Sequence, residues 1–239
     1  MSSLQESLQA NLRAVNTRIT HAARAAGRDP SEIALVAVSK TFPAEVVAAA
    51  LASGQSAFGE NYVQEAVEKI ARVRDLAPFH SAQWHFIGPI QSNKTRTIAE
   101  TFDWVQSVDR LKVAERLAEQ RPTARGPLNV LLQVNISGEA SKSGAQPGDL
   151  SLLATQVAGL RNLRLRGLMA IPEPQSHPAR QRAPLARTRQ LFDTLRAEGH
   201  ALDTLSMGMS ADLDEAIAAG ANMVRVGIAI FGTRDTVTV

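Results

Sequence analysis

The sequence predicts an α/β protein built as one closed (β/α)8 barrel of the TIM type, with an extra helix at its N-terminus. Two observations support this prediction. Short continuous apolar runs, typical of strands buried on both faces, alternate with segments of helical periodicity, and eight such runs occur within 239 residues. This alternation implies parallel strands joined by helical crossovers, and eight units in this length favour a closed barrel. We therefore expect a single domain over residues 1–239.

The first segment predicts an amphipathic helix over residues 3–27. Apolar residues recur there at steps of three and four positions, which places them on one face: Leu4, Leu8, Leu12, Val15 and Ile19. Gly27 and Pro30 follow, and these residue types are typical of a helix end.

Eight short apolar segments after this helix are the predicted strands. They cover residues 33–38, 57–59, 84–88, 104–107, 129–135, 165–170, 204–207 and 223–228. Predicted helices follow each strand but the last, over residues 43–54, 62–76, 94–100, 110–119, 148–159, 186–198 and 211–219. Residues 172–184 contain four prolines and are predicted to form an exposed, mobile loop. An open doubly wound sheet is the alternative fold, but the first strand lacks the GxGxxG turn of a dinucleotide site.

Composition excludes several classes of function. The absence of cysteine rules out disulfides, thiolate catalysis and cysteine metal sites. A net charge of +3, scattered basic residues and 4% aromatic residues argue against nucleic-acid binding, and the arginines between 180 and 189 fit a solvated surface. The N-terminus does not resemble a secretory signal, and no apolar run is long enough to span a bilayer, so we expect a cytoplasmic protein.

Functional groups of a parallel barrel gather at the carboxyl ends of its strands. This rule selects a small set of positions: Lys40, Asn61, His85, Asn135, Met169, Ser206 and residues 225–227. Lys40 follows a run of six apolar residues and Ser39, and partial desolvation there would favour the uncharged amine that forms a Schiff base. A lysine that extends to solvent is the alternative, and this feature alone favours the alternative.

The loops after the seventh and eighth predicted strands fit an anion. Residues 206–212 form a small-residue loop before a helix, where backbone N–H groups attract phosphate and the hydroxyls of Ser206 and Ser210 add hydrogen bonds. A plain N-cap role for Ser210 is equally compatible. Arg225 lies within an apolar strand, and Gly227 lets backbone approach a ligand closely. The two loops therefore fit one shared phosphate, and a buried Arg225 paired with a carboxylate is the alternative.

His85 is an isolated histidine within a predicted strand. Such a residue is more often a satisfied core side chain than a catalyst. Since no second histidine or carboxylate stands at metal-ligand spacing, the sequence predicts no metal site.

Seven motifs taken together resemble one family. They are VAVSKT at 36–41, FGENYVQE at 58–65, WHFIGPIQSNK at 84–94, QVNISGEASKSG at 133–144, GLMAIP at 167–172, SMGMSAD at 206–212 and RVGIAIFG at 225–232. In this order they resemble the pyridoxal phosphate homeostasis proteins, the YggS/PROSC-type family, nearly from end to end. The segment 173–189 is the part least similar to that family.

The resemblance implies the barrel of the alanine racemase N-terminal domain and pyridoxal 5′-phosphate (PLP) as the cofactor. It implies that Lys40 forms the internal aldimine and that Arg225 faces the pyridine nitrogen. By the same resemblance, the phosphate is held by Ser206, Met209, Ser210, Gly227 and Ile228, and the cofactor is lined by Asn61, His85 and Met169. Lys142 matches a lysine implicated in cofactor handling.

An arginine at the pyridine nitrogen favours a carrier over an enzyme. Its charge keeps the nitrogen unprotonated, which makes the ring a weaker electron sink. The single tyrosine, Tyr62, is in the second βα loop and the sequence ends at Val239, so we expect neither the tyrosine base nor the second domain of racemases. The aldehyde side of the cofactor would then stay open to solvent, which suits loading and transfer.

We therefore expect a monomeric, cytoplasmic carrier or regulator of PLP in vitamin B6 homeostasis, without robust catalysis. It would exchange the cofactor with transient donor or acceptor enzymes. A narrow-scope amino-acid racemase and a cofactor-free barrel that binds another phosphate compound are the alternatives. Lys94 and Lys142 are both open candidates for a second cofactor site.

Overall fold

A closed barrel of eight parallel strands, paired in chain order, forms the centre of the computed structural model. The structure describes residues 3–138, 143–173 and 178–233, with side chains described from residue 182 onward in the last range. The strands are β1 Ala34–Val38, β2 Ala57–Glu60, β3 Gln83–Phe86, β4 Trp104–Val108, β5 Leu128–Val134, β6 Leu163–Ala170, β7 Thr204–Ser206 and β8 Met223–Val226. The predicted fold class is therefore confirmed.

Helices surround the barrel and bury one apolar face each. They are α1 Ser3–Ala25, α2 Ala44–Ala52, α3 Val63–Leu76, α4 Thr95–Thr101, α5 Leu111–Gln120, α6 Leu150–Ala158, α7 Pro178–Ala197, α8 Leu213–Ala218 and α9 Ile228–Phe231. The predicted apolar face of α1 is buried at Leu8, Leu12, Val15 and Ile19. This helix contacts α2, α8 and α9, and thereby covers the seam where β8 meets β1. No helix among the described residues is long and apolar enough to cross a membrane.

Two helix assignments made from the sequence are wrong. Helix α7 begins at Pro178 rather than near residue 186, and it contains Pro184, which the sequence reading placed in the loop 172–184. Pro178 stands at the first position of this helix, where proline is well tolerated, whereas Pro184 lies inside it. The chain stays helical past Pro184, and the hydroxyl of Thr188 donates to Pro184 O (2.8 Å). Residues 174–177 of that loop lie outside the described residues. A short helix, α9, also follows β8, where the sequence predicted none. Four residues are too few to show helical periodicity.

The apolar core has two parts. The larger part packs the strands against the helices. The smaller part groups five side chains from five different strands: Val36, Trp104, Leu131, Met169 and Met223. Because β1, β4, β5, β6 and β8 lie around the barrel, this second cluster fills its interior. The barrel is thus a packed core with a site at one end, rather than a pore.

Candidate functional site

The loop after β1 carries Lys40, whose side chain is exposed. The preceding strand lies against the start of α9, since a Cβ built on Gly227 would lie 3.2 Å from Val38 O. Beyond Lys40, the ring of Phe42 lies 5.0 Å from the ring of Phe231. The Lys40 loop therefore borders the turn between β8 and α9.

A buried ionic network holds the residues on both sides of Lys40. The Lys69 ammonium donates to Ser39 O (2.7 Å), Glu60 Oε1 (2.8 Å) and Glu65 Oε1 (2.8 Å). The Ser39 hydroxyl donates to Glu60 Oε1 (2.7 Å), and the Thr41 backbone N–H donates to Glu65 Oε1 (2.5 Å). Glu60 is fully buried and Lys69 is 5% exposed. Desolvation raises the pKa of Glu60, while the nearby Lys69 ammonium opposes that rise.

Arg225 of β8 is buried, and its guanidinium is held by two acceptors. It donates from Nη1 to Ser206 Oγ (2.5 Å) and from Nη2 to Ala170 O (2.8 Å). Burial lowers the pKa of Arg225 to about 10, and the Asp212 carboxylate counteracts part of that shift. Arg225 therefore stays cationic at neutral pH.

A chain of hydrogen bonds continues from Arg225 across the barrel interior. The Ser206 hydroxyl donates to Gln106 Oε1 (2.7 Å), and Gln106 Nε2 lies 3.0 Å from His85 Nδ1. Because an amide nitrogen only donates, His85 Nδ1 accepts, and the proton on Nε2 is directed at Gln83 Oε1 (3.0 Å). Burial lowers the pKa of His85 to about 3, so the ring is neutral. All four bonds run in one direction, which fixes the orientation of each group.

His85, Ser206 and Met169 thus lie inside the barrel. His85 is fully buried and stacks on Trp104 with ring centroids 5.3 Å apart. Ser206 is also fully buried, and its hydroxyl is already engaged by Arg225 and Gln106. Met169 belongs to the interior apolar cluster. Their predicted contact with a cofactor stays a prediction.

Asn61, at the end of β2, lies at the rim. Its side-chain oxygen is buried and has no hydrogen-bond partner among the described residues, so it is available to a ligand. The loop after β3 approaches it closely, because a Cβ on Gly88 would overlap Asn61 O. A cavity of about 320 Å³ beside this contact is lined in part by Asn61, Tyr62 and Lys94.

The residues predicted to hold an anion lie in the loops after β7 and β8, which neighbour one another where Arg225 N donates to Gly208 O (3.0 Å). Met209 and Ser210 are half-buried, and Ile228 is exposed at the first position of α9. The first N–H groups of a helix have no acceptor within it, and the phosphate contact of those at the start of α9 stays a prediction. The N-cap alternative for Ser210 is wrong, because Asp212 occupies the N-cap of α8.

Two further sequence candidates lie elsewhere. Asn135 is buried, and its side-chain oxygen accepts from Gly138 N (3.1 Å), which fits a turn-forming role. Lys142 lies outside the described residues. Among the residues that are described, no group of three or more His, Asp or Glu side chains is arranged to hold a metal ion.

Sequence reasoning missed Gln106, Glu60 and the pair of Glu65 and Lys69. Gln106 is a polar residue inside an apolar strand, and this signal was available in the sequence. Glu65 and Lys69 stand four positions apart on α3, a spacing typical of a solvent-exposed helix pair. Nothing local distinguishes this pair from an exposed one, so its burial was not predictable.

These features define a class of ligand-binding (β/α)8 proteins. The barrel is parallel, a lysine follows one strand, an arginine is buried in another, and a candidate anion-binding turn lies beside them. The chain belongs to the family described as "Alanine racemase, N-terminal domain", which matches residues 6–235. The alanine racemase of Clostridium difficile 630 shares this fold, with a TM-score of 0.75 over 97% of this chain and 58% of its own, at 16% identity.

Curated relatives show which group within this family the chain resembles. The chain is 60% identical to the "Pyridoxal phosphate homeostasis protein" of Pseudomonas aeruginosa, over 94% of this chain and 95% of the relative. It is also similar to PipY of Synechococcus elongatus PCC7942, whose structure was solved with PLP bound. That match has a TM-score of 0.81 at 35% identity and covers 94% of this chain and all of PipY.

Proposed function

We propose that this protein binds PLP covalently through Lys40 and acts in vitamin B6 homeostasis as a carrier of the cofactor. The observation that supports this most directly is the position of the Lys40 loop beside the turn that starts α9. When bound, the cofactor supplies an aldehyde that condenses with a lysine amine and releases one water. The similarity to a protein solved with PLP bound supports the same conclusion.

The residues at the mouth fit the separate parts of this cofactor. Arg225 would face the pyridine nitrogen, and Ser206 would hold the guanidinium in place. To contribute to the phosphate site as well, the Ser206 hydroxyl would have to redirect its single proton from Gln106 to the phosphate. Met209, Ser210, Gly227 and Ile228 would hold the phosphate through the two loops that they occupy. Asn61, His85 and Met169 would line the cofactor, and the unpartnered Asn61 oxygen supports that role at the rim.

A carrier role fits better than robust catalysis. The permanent charge of Arg225 would keep the ring nitrogen unprotonated, which weakens the ring as an electron sink. Tyr62, the single tyrosine in the sequence, is 53% exposed at the N-cap of α3. The curated relatives are named for homeostasis, which does not favour the racemase alternative. A cytoplasmic monomer that exchanges PLP transiently with donor or acceptor enzymes completes the proposal.

Borohydride trapping tests the cofactor site. Protein loaded with PLP is reduced, digested and mapped, and we expect the adduct on the peptide that contains Lys40. Lys40→Ala should abolish the visible absorbance band, whereas Lys94→Ala should keep it. A reduced adduct confined to any other lysine would contradict the assignment.

An activity measurement separates the carrier from an enzyme. We expect the loaded protein to racemise alanine no faster than free PLP does. Racemisation above that rate, lost in Lys40→Ala, would contradict the carrier role.

A further inference from the structure

The residue directly after Lys40 has an unfavourable backbone conformation. Thr41 has φ of 69°, in the left-handed region that a β-branched residue rarely adopts. Such a conformation persists only where surrounding contacts enforce it, and these sites cluster where function requires a set geometry. The contacts that hold Thr41 therefore bear on the geometry of the Lys40 loop.

Glu65 holds this conformation together with the turn hydrogen bond from Phe42 N to Ser39 O (3.1 Å). Its Oε1 accepts the Thr41 backbone N–H at 2.5 Å, while the same oxygen accepts from Lys69 at 2.8 Å. A charged acceptor forms a stronger hydrogen bond with a backbone N–H than a neutral one does. The contact spans 24 residues and anchors the Lys40 loop to α3.

Lys69, which contacts Glu65, also binds Ser39 on the other side of Lys40. Its ammonium donates to Ser39 O at 2.7 Å and also binds the buried Glu60 carboxylate, which accepts from the Ser39 hydroxyl. A buried ammonium with three acceptors has one preferred position, because losing any acceptor leaves a polar group uncompensated. The residues before and after Lys40 are therefore held by one network.

We propose that Glu65 and Lys69 are positioning residues for Lys40, which present its amine at the barrel mouth by fixing Ser39 and Thr41. This inference rests on the proposed function of Lys40. It assigns a role to a helix pair that lies outside the cofactor site itself.

The test measures the dissociation constant for PLP and the yield of borohydride-trapped adduct on Lys40. Glu65→Ala should weaken PLP binding by about tenfold, since Thr41 then relaxes from the left-handed conformation. Glu68→Ala, at an exposed position of the same helix, is the matched control and should bind like the wild type.

A second substitution distinguishes positioning from a general structural role. Glycine adopts the left-handed conformation without steric cost, so Thr41→Gly in the Glu65→Ala background should restore most of the affinity. If Glu65 only held α3 in place, Thr41→Gly would not restore the affinity for PLP. Wild-type affinity in Glu65→Ala, or loss of affinity that Thr41→Gly does not restore, would overturn the inference.

Two further readouts complete the experiment. Circular dichroism checks that Glu65→Ala folds; if it does not, Glu65→Gln replaces it, because an amide oxygen still accepts from Thr41. That variant should weaken binding by about threefold through loss of the charge, and unchanged affinity would overturn the inference. A wild type that traps no adduct on Lys40 would overturn the proposed function, and the inference with it.

Discussion

His85 illustrates how burial decides the chemistry of a single residue. Its ring is fully buried, both of its nitrogens are engaged, and its pKa is lowered to about 3 from 6.5. The observed hydrogen bonds require a neutral ring. A proton on Nδ1 would face the N–H that Gln106 already donates to this nitrogen, and the two hydrogens would clash. His85 therefore orients its neighbours and does not exchange protons at neutral pH.

This shift predicts a dependence of stability on pH. As the pH falls below 6.5, the unfolded state binds a proton at this histidine before the folded state does. The free energy of unfolding should therefore fall with a slope of up to about 1.4 kcal/mol per pH unit, until the pH nears the folded pKa. Urea unfolding at several pH values between 7 and 4 measures the slope.

Two variants make that measurement specific to His85. His85→Gln should reduce the slope, because the titrating group is gone. His80→Gln, at an exposed position, should leave it unchanged. Equal slopes in the wild type and His85→Gln would show that other groups cause the acid sensitivity.

At the scale of elements, the hydrogen-bond chain links β3, β4, β7 and β8 through the barrel interior. Gln106 is its central member and uses both ends of its amide, toward Ser206 and toward His85. A second contact from its nitrogen reaches Met223 Sδ (3.2 Å). No isosteric apolar residue can replace it without leaving buried polar groups unpaired.

Gln106→Leu should therefore lower the free energy of unfolding by roughly 2–4 kcal/mol, since two buried groups lose a partner. It should also weaken PLP binding, because the Ser206 hydroxyl that accepts from Arg225 is no longer oriented. Denaturant titration and the dissociation constant measure the two effects. Gln190→Leu, at an exposed position of α7, is the control and should change neither.

A double-mutant cycle tests whether the chain acts as a unit. Combining Gln106→Leu with His85→Leu should cost less than the sum of the single changes, because the His85 acceptor is then absent. Strict additivity would show that the two residues contribute independently.

At the scale of the whole molecule, closure of the barrel depends on close contact between strands. Gly167 pairs with Thr204 across β6 and β7, next to a register shift between β5 and β6. Its φ is 154°, and a Cβ there would overlap Thr204 O. A side chain at this position would separate two strands of a sheet that has no free edge to relax into.

Gly167→Ala should accordingly lower the free energy of unfolding by more than about 3 kcal/mol or prevent folding. Gly159→Ala is the matched control, because its φ is −78° and the nearest contact of its Cβ would be 3.5 Å from Gln156 O. That control should be neutral or slightly stabilising. Thermal unfolding of both variants gives the comparison, and similar midpoints would contradict the closure argument.

Local patterns were sufficient for most of the fold. The apolar run before Lys40 and the run that contains Arg225 each indicated a strand, and both are strands of the barrel. The predicted start of α7 was wrong because Pro184 lies inside the helix. A proline is usually a sign of a loop or a helix end, and only the tertiary context shows otherwise. Helix α9 was missed because four residues carry no period.

The candidate site was only partly predictable. The sequence placed Lys40, Asn61, Arg225 and Gly227 at strand ends, which the topology of a barrel brings to one face. It did not distinguish Lys69 from an exposed helix lysine. The charge of Lys69 is buried because α3 packs its side chain against the ends of β1 and β2.

The sequence by itself determined the order of strands and helices and the family to which the chain is similar, because periodicity and motifs are properties of neighbouring residues. Only the tertiary structure decided that Arg225 is oriented by Ser206 and Gln106, and that Lys40 stands between two residues held by α3. Those contacts join residues between 19 and 100 positions apart. They depend on the register of neighbouring strands and on closure of the barrel, which no local pattern encodes.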